Sequence, residues 1–157
     1  MTLEFTVRPV RRSDLAQWRP LWDGYNTFYG RSGPTALDEE ITNATWHRFF
    51  EPTESVRALV AEAGERLVGL AHVILHRSTT RLQDVCYLQD LFTDETVRRR
   101  GVGRLLIESV YDFARTSGCA RVYWQTMADN AAGRALYDEV AAHKGFIVYA
   151  HELGVLP

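Results

Sequence analysis

Residues 87–104 read Tyr-Leu-Gln-Asp-Leu-Phe-Thr-Asp-Glu-Thr-Val-Arg-Arg-Arg-Gly-Val-Gly-Arg. A strand-like run (Tyr87 to Thr93) gives way to a polar connector, then to Arg98-Arg99-Arg100 and the glycine pair Gly101-Val102-Gly103. An amphipathic helix opens directly after it. Two glycines at this spacing let the backbone turn tightly and approach a ligand without Cβ interference. The free N–H groups of the first helical turn then point at one place, where the helix dipole favours an anion. Arg98, Arg99, Arg100 and Arg104 add positive charge around it. The stretch therefore predicts a strand–loop–helix unit with a pyrophosphate site at the helix N-terminus. It is not a dinucleotide fingerprint, because Leu105 and Leu106 stand where a third glycine belongs and no early βαβ unit precedes it. Nor is it a P-loop, because Lys144 is the only lysine in the chain.

Outward from this unit the pattern is regular. Upstream, Phe5 to Val10 alternates as a strand. Ser13 or Asp14 can cap a helix whose Leu15, Trp18, Leu21, Trp22 and Tyr25 share a face, with Pro20 expected to kink or split it. Gly30, Gly33 and Pro34 end that segment. A second helix is expected over Asp38 to Phe50, its acidic first turn suited to the macrodipole. Val56 to Ala63 and Arg66 to His76 read as a hairpin turning at Gly64.

Downstream, Gly103 to Ser117 is a helix with Val102, Leu105, Leu106, Val110, Phe113 and Ala114 on one stripe and Gly118 as its stop. A strand follows over Arg121 to Thr126, then a helix capped by Asn130 and running to His143, then a strand over Phe146 to His151. The order predicts an α/β (α+β) fold: a mixed, mostly antiparallel sheet of about six to seven strands flanked by about four helices.

With 157 residues, 46% of them hydrophobic, the chain fits a single domain over residues 1–157 with its own core. No apolar run reaches the length of a membrane span, and the N-terminus lacks a signal-peptide pattern, so a cytoplasmic location is expected. Cys86 and Cys119 have no metal or redox spacing. A net charge of −2 gives no reason to expect nucleic acid or a membrane as partner.

These residues resemble those of the GNAT superfamily of acetyl-coenzyme A-dependent N-acetyltransferases. The likeness rests on Arg98-x-x-Gly101-x-Gly103, the upstream strand Tyr87 to Thr93, the strand Arg121 to Thr126 followed by Asn130, the helix segment Ala135-Leu136-Tyr137, and Gly145-Phe146. Within that superfamily, Tyr87 to Phe92, Val122 to Thr126 and Arg134 to Asp138 are similar to the yeast histone/polyamine and D-amino-acid acetyltransferase branch. A more distant likeness is to the spermidine/spermine acetyltransferases.

The resemblance implies acetyl-coenzyme A as cosubstrate, held by the backbone of Leu91, Phe92 and Thr93 and by the loop Arg98, Arg99, Arg100, Gly101, Val102, Gly103 and Arg104. Asn130 and Arg134 are further candidates, although capping is the simpler role for Asn130. It implies a small-molecule or peptide amine as acceptor (a polyamine, an amino acid or a lysine side chain), no metal, and a homodimer or larger homo-oligomer. Tyr137 is the expected proton donor to the departing thiolate.

The general base is the gap. Spermidine/spermine relatives carry a glutamate where this chain has Gln89, and an amide takes no proton. Asp90 is the substitute, but by strand periodicity it faces away from Gln89 unless a bulge re-aims it. Gln89, Tyr25 and Trp124 are the expected acceptor contacts. Trp22, Phe28 and Tyr29 with Asp23, Asp38, Glu39 and Glu40 read either as an aromatic and acidic mouth or as core and helix-start residues. His72 and His76 share strand parity, with no third ligand evident. The alternative function is an acyl-coenzyme A sensor on the same fold, without turnover, which the amide at Gln89 suggests.

Overall fold

The structure, a computed structural model, describes residues 3–154; the two ends of the expected domain, residues 1–2 and 155–157, lie outside the described residues. The chain divides into two compact units, one up to Gln125 and one from Thr126 onward.

The first unit holds five strands in the spatial order β1-β2-β3-β4-β5. They are β1 Phe5–Pro9, β2 Val56–Ala63, β3 Arg66–His76, β4 Val85–Thr93 and β5 Val122–Tyr123. β1 to β4 pair antiparallel in succession, and β5 joins β4 in parallel. Three helices accompany them: α1 Leu15–Phe28, α2 Glu39–Arg48 and α3 Val102–Thr116. The hairpin bounds match the sequence pattern because Gly64 takes φ +61° at the turn, a conformation glycine adopts freely.

The two sheet faces are covered differently. On one, α1 and α2 pack Trp18, Trp22, Trp46 and Phe49 against Ala58, Val60 and Leu70. On the other, α3 buries Val102, Leu106, Ile107, Val110 and Ala114. That stripe is rotated slightly from the expected one, since Ile107 is buried while Leu105 and Phe113 are only half-buried.

Two glycines set how closely these layers approach. A Cβ at Gly69 of β3 would lie 3.0 Å from Leu106 and 3.3 Å from Val102, so α3 rests directly on that backbone. A Cβ at Gly24 would lie 2.8 Å from the Phe92 ring, so only glycine lets α1 settle onto β4. Glycine inside a helix costs about 1 kcal/mol against alanine; here it secures the contact that brings Tyr25 over the sheet. Pro20 does not split α1, which runs unbroken. Asp14 precedes α1, and its carboxylate accepts from the Arg11 N–H and from both terminal nitrogens of Arg8, whose Nε also reaches Glu62. This ties β1, β2 and the start of α1 together. The Arg8 guanidinium holds the Asp14 carboxyl below its usual range.

The second unit contains α4, Ala131–Val140. It ends short of the expected His143. Phe146 to His151, expected as a strand, is irregular and exposed. The expected strand over Arg121 to Thr126 is likewise reduced to Val122–Tyr123. Alternation alone does not make a strand; the backbone needs a ladder partner. Among the described residues the sheet thus has five strands rather than six or seven. No helix of the described residues is long and apolar enough to cross a membrane.

Candidate active site

β4 is the element on which the site is built. Its pairing with β3 slips once: His72 faces Asp90 and Val73 faces Leu88, leaving Gln89 as the extra residue of a bulge. A bulge reverses the side-chain alternation downstream. Leu88 therefore lies opposite Val73, while Asp90 turns to the α1 face beside His72. Gln89 stays exposed and Asp90 is buried, at 7% exposure. The carboxylate that strand periodicity pointed to the face opposite Gln89 is thus re-aimed by the bulge.

Asp90 sits in a closed hydrogen-bond network. Trp18 Nε1–H donates to His72 Nε2 at 3.0 Å, and His72 Nδ1 lies 2.9 Å from Asp90 Oδ2. An indole N–H can only donate, so Nε2 is the accepting nitrogen and the imidazole proton sits on Nδ1, donated to Asp90. The Tyr25 hydroxyl lies close enough to Asp90 to feel its carboxylate. Burial, with the Asp90 charge adding to it, pushes the Tyr25 phenol far above its ordinary range, so this hydroxyl keeps its proton. Asp90 thus accepts from a fixed imidazole, with the Tyr25 phenol beside it. No arginine or lysine pairs with it among the described residues. Tyr87, whose hydroxyl is also raised by burial and then by Tyr123, Asp90 and Tyr29, completes an aromatic wall around the carboxylate.

The expected acceptor contacts separate. Tyr25 joins Asp90. Trp124 instead leans toward Tyr111 of α3, with ring centroids 6.4 Å apart, on the opposite face of the sheet. Of the expected mouth, Trp22 is core. Asp23 and Glu39 are both bound to Arg19, and Asp38 caps α2 through the Glu40 N–H. Phe28 and Tyr29 are exposed beside Tyr25. His72 and His76 do not converge: the His76 ring nitrogens are engaged by the Arg77 carbonyl and the Tyr123 hydroxyl.

Among the described residues of the first unit, the outer edge of β4 is paired only at its start. Its ladder with β5 covers only Cys86–Val122 and Tyr87–Tyr123. Asp94 N–H donates to Val68 O on the inner side. In an antiparallel ladder the bonded pairs alternate, so Asp90 and Phe92 turn their backbone groups toward β3, whereas Leu91 and Thr93 turn theirs outward. An extended amide-bearing chain could pair with that edge.

At the end of β4 the chain makes a short 3₁₀ turn, Glu95–Val97, and enters the arginine–glycine loop. Arg99 has φ +62° and Gly101 φ +86°. Two left-handed residues in so short a span turn the chain sharply into α3. The first helical bond there is Leu105 N–H to Gly101 O, 3.0 Å. The amides of Val102 and Gly103 precede that bond and have no acceptor within the helix. Gly101 carries no side-chain cap that could occupy them. Val102 contributes only its backbone, its side chain being 1% exposed in the core. Arg98 is tied back, with Nε on Thr93 O at 3.1 Å and its guanidinium over the Phe92 ring. Arg100 lies over Phe5, and Arg99 is exposed. The loop suits a multiply charged anion, and the neighbouring β4 edge suits an amide chain; coenzyme A carries both features.

In the second unit Asn130 caps α4: its Oδ1 accepts from Gly133 N–H and its Nδ2 donates to Thr126 Oγ1. A Cβ at Gly133 would run into the Asn130 carboxamide. Arg134 donates to the Ala128 carbonyl at 2.7 Å. Tyr137 is half-buried on the same helix. The cysteines offer no nucleophile: burial pushes the Cys86 thiol up to about 12, and Cys119 is raised as well.

The His72–Asp90 contact joins residues 18 positions apart across a bulge, and neither local periodicity nor a motif signals it. His72 was visible only as one of two histidines of equal parity, and Trp18 only as core.

A family model described as the Acetyltransferase (GNAT) family matches residues 18–141. A D-amino-acid N-acetyltransferase of Saccharomyces cerevisiae is 33% identical over 146 residues, covering 91% of this chain and 88% of the relative. An uncharacterised N-acetyltransferase of Bacillus subtilis is 28% identical over 145 residues, covering 91% and 94%. Among solved structures, an aminoglycoside acetyltransferase from a soil metagenome superposes with a TM-score of 0.79 at 16% identity, covering 96% of this chain and 97% of the other. Another, AAC(6')-Iy in complex with a bisubstrate analogue, superposes with a TM-score of 0.81 at 15% identity, covering 96% and 99%. At such identities these two likenesses concern the fold.

Proposed function

Because this chain belongs to the Acetyltransferase (GNAT) family, whose members move acetyl groups to amines, we propose that it transfers the acetyl group of acetyl-coenzyme A to a primary amine delivered on the α1 side of β4, at Asp90. The observation that carries this is the bulge at Gln89. It supplies the carboxylate that the amide at position 89 withholds, beside a strand edge paired only at its start and an anion-binding helix N-terminus. It also removes the main argument for a turnover-free sensor.

Each step has a candidate group. The pyrophosphate takes the amides of Val102 and Gly103, with Arg99 and Arg104 adding charge. The pantetheine arm pairs with the outward backbone of Leu91 and with the Thr93 N–H, the Thr93 carbonyl being held by Arg98. The Leu91 N–H also suits the developing oxyanion. Asp90 holds the incoming ammonium and takes the proton that the amine must lose before attack. The nitrogen lone pair forms the new N–C bond, the C–S bond breaks, and the thiolate leaves as coenzyme A.

Tyr137 is the proposed proton donor to that sulfur, a role the family resemblance supports. A phenol of ordinary pKa about 10 is well matched to an alkyl thiol. Tyr137→Phe is expected to lower kcat by about 10²-fold with little change in coenzyme A affinity. Steady-state thiol release together with calorimetric binding measures both quantities, and an unchanged kcat removes Tyr137 as the acid. The proposed acceptor classes are amino acids, polyamines and lysine side chains, to be ranked by an acetylation screen over all three.

A further inference from the structure

Arg31 follows α1 in the loop that leads to α2. Its backbone N–H donates to Asn26 O at 2.8 Å, and its Nε donates to Asn26 Oδ1 at 2.7 Å. Asn26 is itself 4% exposed and held by its Nδ2 on Trp22 O, 2.9 Å away. The guanidinium is thereby fixed at one edge and laid against two rings, with Cζ 5.8 Å from the Tyr25 centroid and 5.4 Å from that of Tyr29. Its two terminal nitrogens have no hydrogen-bond or ion-pair partner among the described residues.

This is an unusual use of a buried amide. The desolvated carboxamide of Asn26 orients a cation whose fork then points at nothing in the protein. Arg8, Arg19 and Arg57 place their forks on carboxylates or carbonyls, whereas the Arg31 guanidinium is held only at Nε, by a buried carboxamide. The opposite charge is close by. Tyr25 feels both the Asp90 carboxylate and the Arg31 cation laid against its ring. Arg31 and Asp90 nevertheless form no ion pair among the described residues. One tyrosine thus separates a fixed cationic fork from a fixed carboxylate.

We propose that Arg31 is the specificity-determining residue for an acceptor bearing a carboxylate close to its amine, an amino acid, with the carboxylate bound across the guanidinium fork and the amine directed at Asp90. This rests on the acetyltransferase reading and narrows its acceptor. A guanidinium matches a carboxylate bidentately, a geometry that a lysine ammonium cannot reproduce. A polyamine, by contrast, brings a second positive charge to Arg31 and is disfavoured.

The test pairs alanine, leucine and phenylalanine, of both hands, with their amides, which keep the amine and lose the carboxylate. Calorimetric binding to the protein saturated with coenzyme A, and kcat/KM with acetyl-coenzyme A, are both read for wild type, Arg31→Gln and Arg31→Lys. The amide's amine is the less basic, so the informative quantity is the acid-to-amide ratio in wild type relative to Arg31→Gln. For at least one amino acid that ratio is expected to fall by at least about tenfold in Arg31→Gln, with Arg31→Lys in between. Values for the amides are expected to stay within about threefold. A ratio unchanged by Arg31→Gln for every pair, or no binding of any of the acids to wild type, overturns the proposal. If no amine promotes thiol release, the acetyltransferase reading fails, while the binding ratio still decides the role of Arg31.

Discussion

Asp90→Asn is expected to lower kcat/KM for the amine acceptor by about 10²–10⁴-fold, the range for loss of a positioned general base. Two effects act together. The amide takes no proton and carries no charge to hold an ammonium. It also disturbs the network: Asp90 accepts from His72 Nδ1–H beside the Tyr25 hydroxyl, and an asparagine NH₂ turned toward His72 would face a donor. A buried donor facing a donor costs about 1–3 kcal/mol, so a lower melting temperature is expected as well.

The two effects separate in the coenzyme half of the site, since Asp90 turns its backbone toward β3 while Leu91 and Thr93 face the outer edge. Coenzyme A affinity, measured by calorimetry on the folded variant, should therefore stay within a few-fold of wild type. Equal kcat/KM in wild type and Asp90→Asn would show that the amine loses its proton elsewhere, for example to a water chain. Gln89→Ala, which removes an exposed side chain from the bulge, is expected to change kcat/KM far less.

Gly101→Val should abolish tight coenzyme binding, with a loss in affinity of at least about 10²-fold, or about 2.7 kcal/mol. A Cβ at Gly101 meets nothing within 4 Å, so there is no clash to relieve. The cost is conformational. At φ +86° an L-residue is destabilised by about 1–2 kcal/mol, and a β-branched one by more. The loop relaxes by rotating out of the left-handed region, and the amides of Val102 and Gly103 lose their common aim. Because the position is exposed, the core under α3 should survive and the circular dichroism spectrum should change little. Calorimetric titration with coenzyme A checks the affinity; a folded variant that binds as wild type does would remove this loop as the pyrophosphate site.

How much of this was legible in the sequence depended on how local each feature is. The Arg98 to Gly103 loop was readable because a left-handed glycine opening a helix is a property of a few adjacent residues. The β2–β3 hairpin was readable for the same reason, Gly64 supplying the turn. The orientation of Asp90 was not, since it turns on a register slip between β3 and β4 that belongs to the sheet. The Trp18–His72–Asp90–Tyr25 network draws on α1, β3 and β4 and leaves no spacing to detect. Arg31 belongs to no motif, and only its hold by the buried Asn26 sets it apart. Phe146 to His151 shows the converse: its alternation is strand-like, yet its backbone is irregular, because strand formation depends on a partner that alternation does not supply.

The most direct test of the proposed reaction is amine-dependent release of free coenzyme A thiol from acetyl-coenzyme A, with the product identified by mass spectrometry as the N-acetylated amine. The expected result is saturable release that requires a primary amine and that falls sharply in Asp90→Asn. Tight coenzyme binding with no release above background for any amine would contradict it.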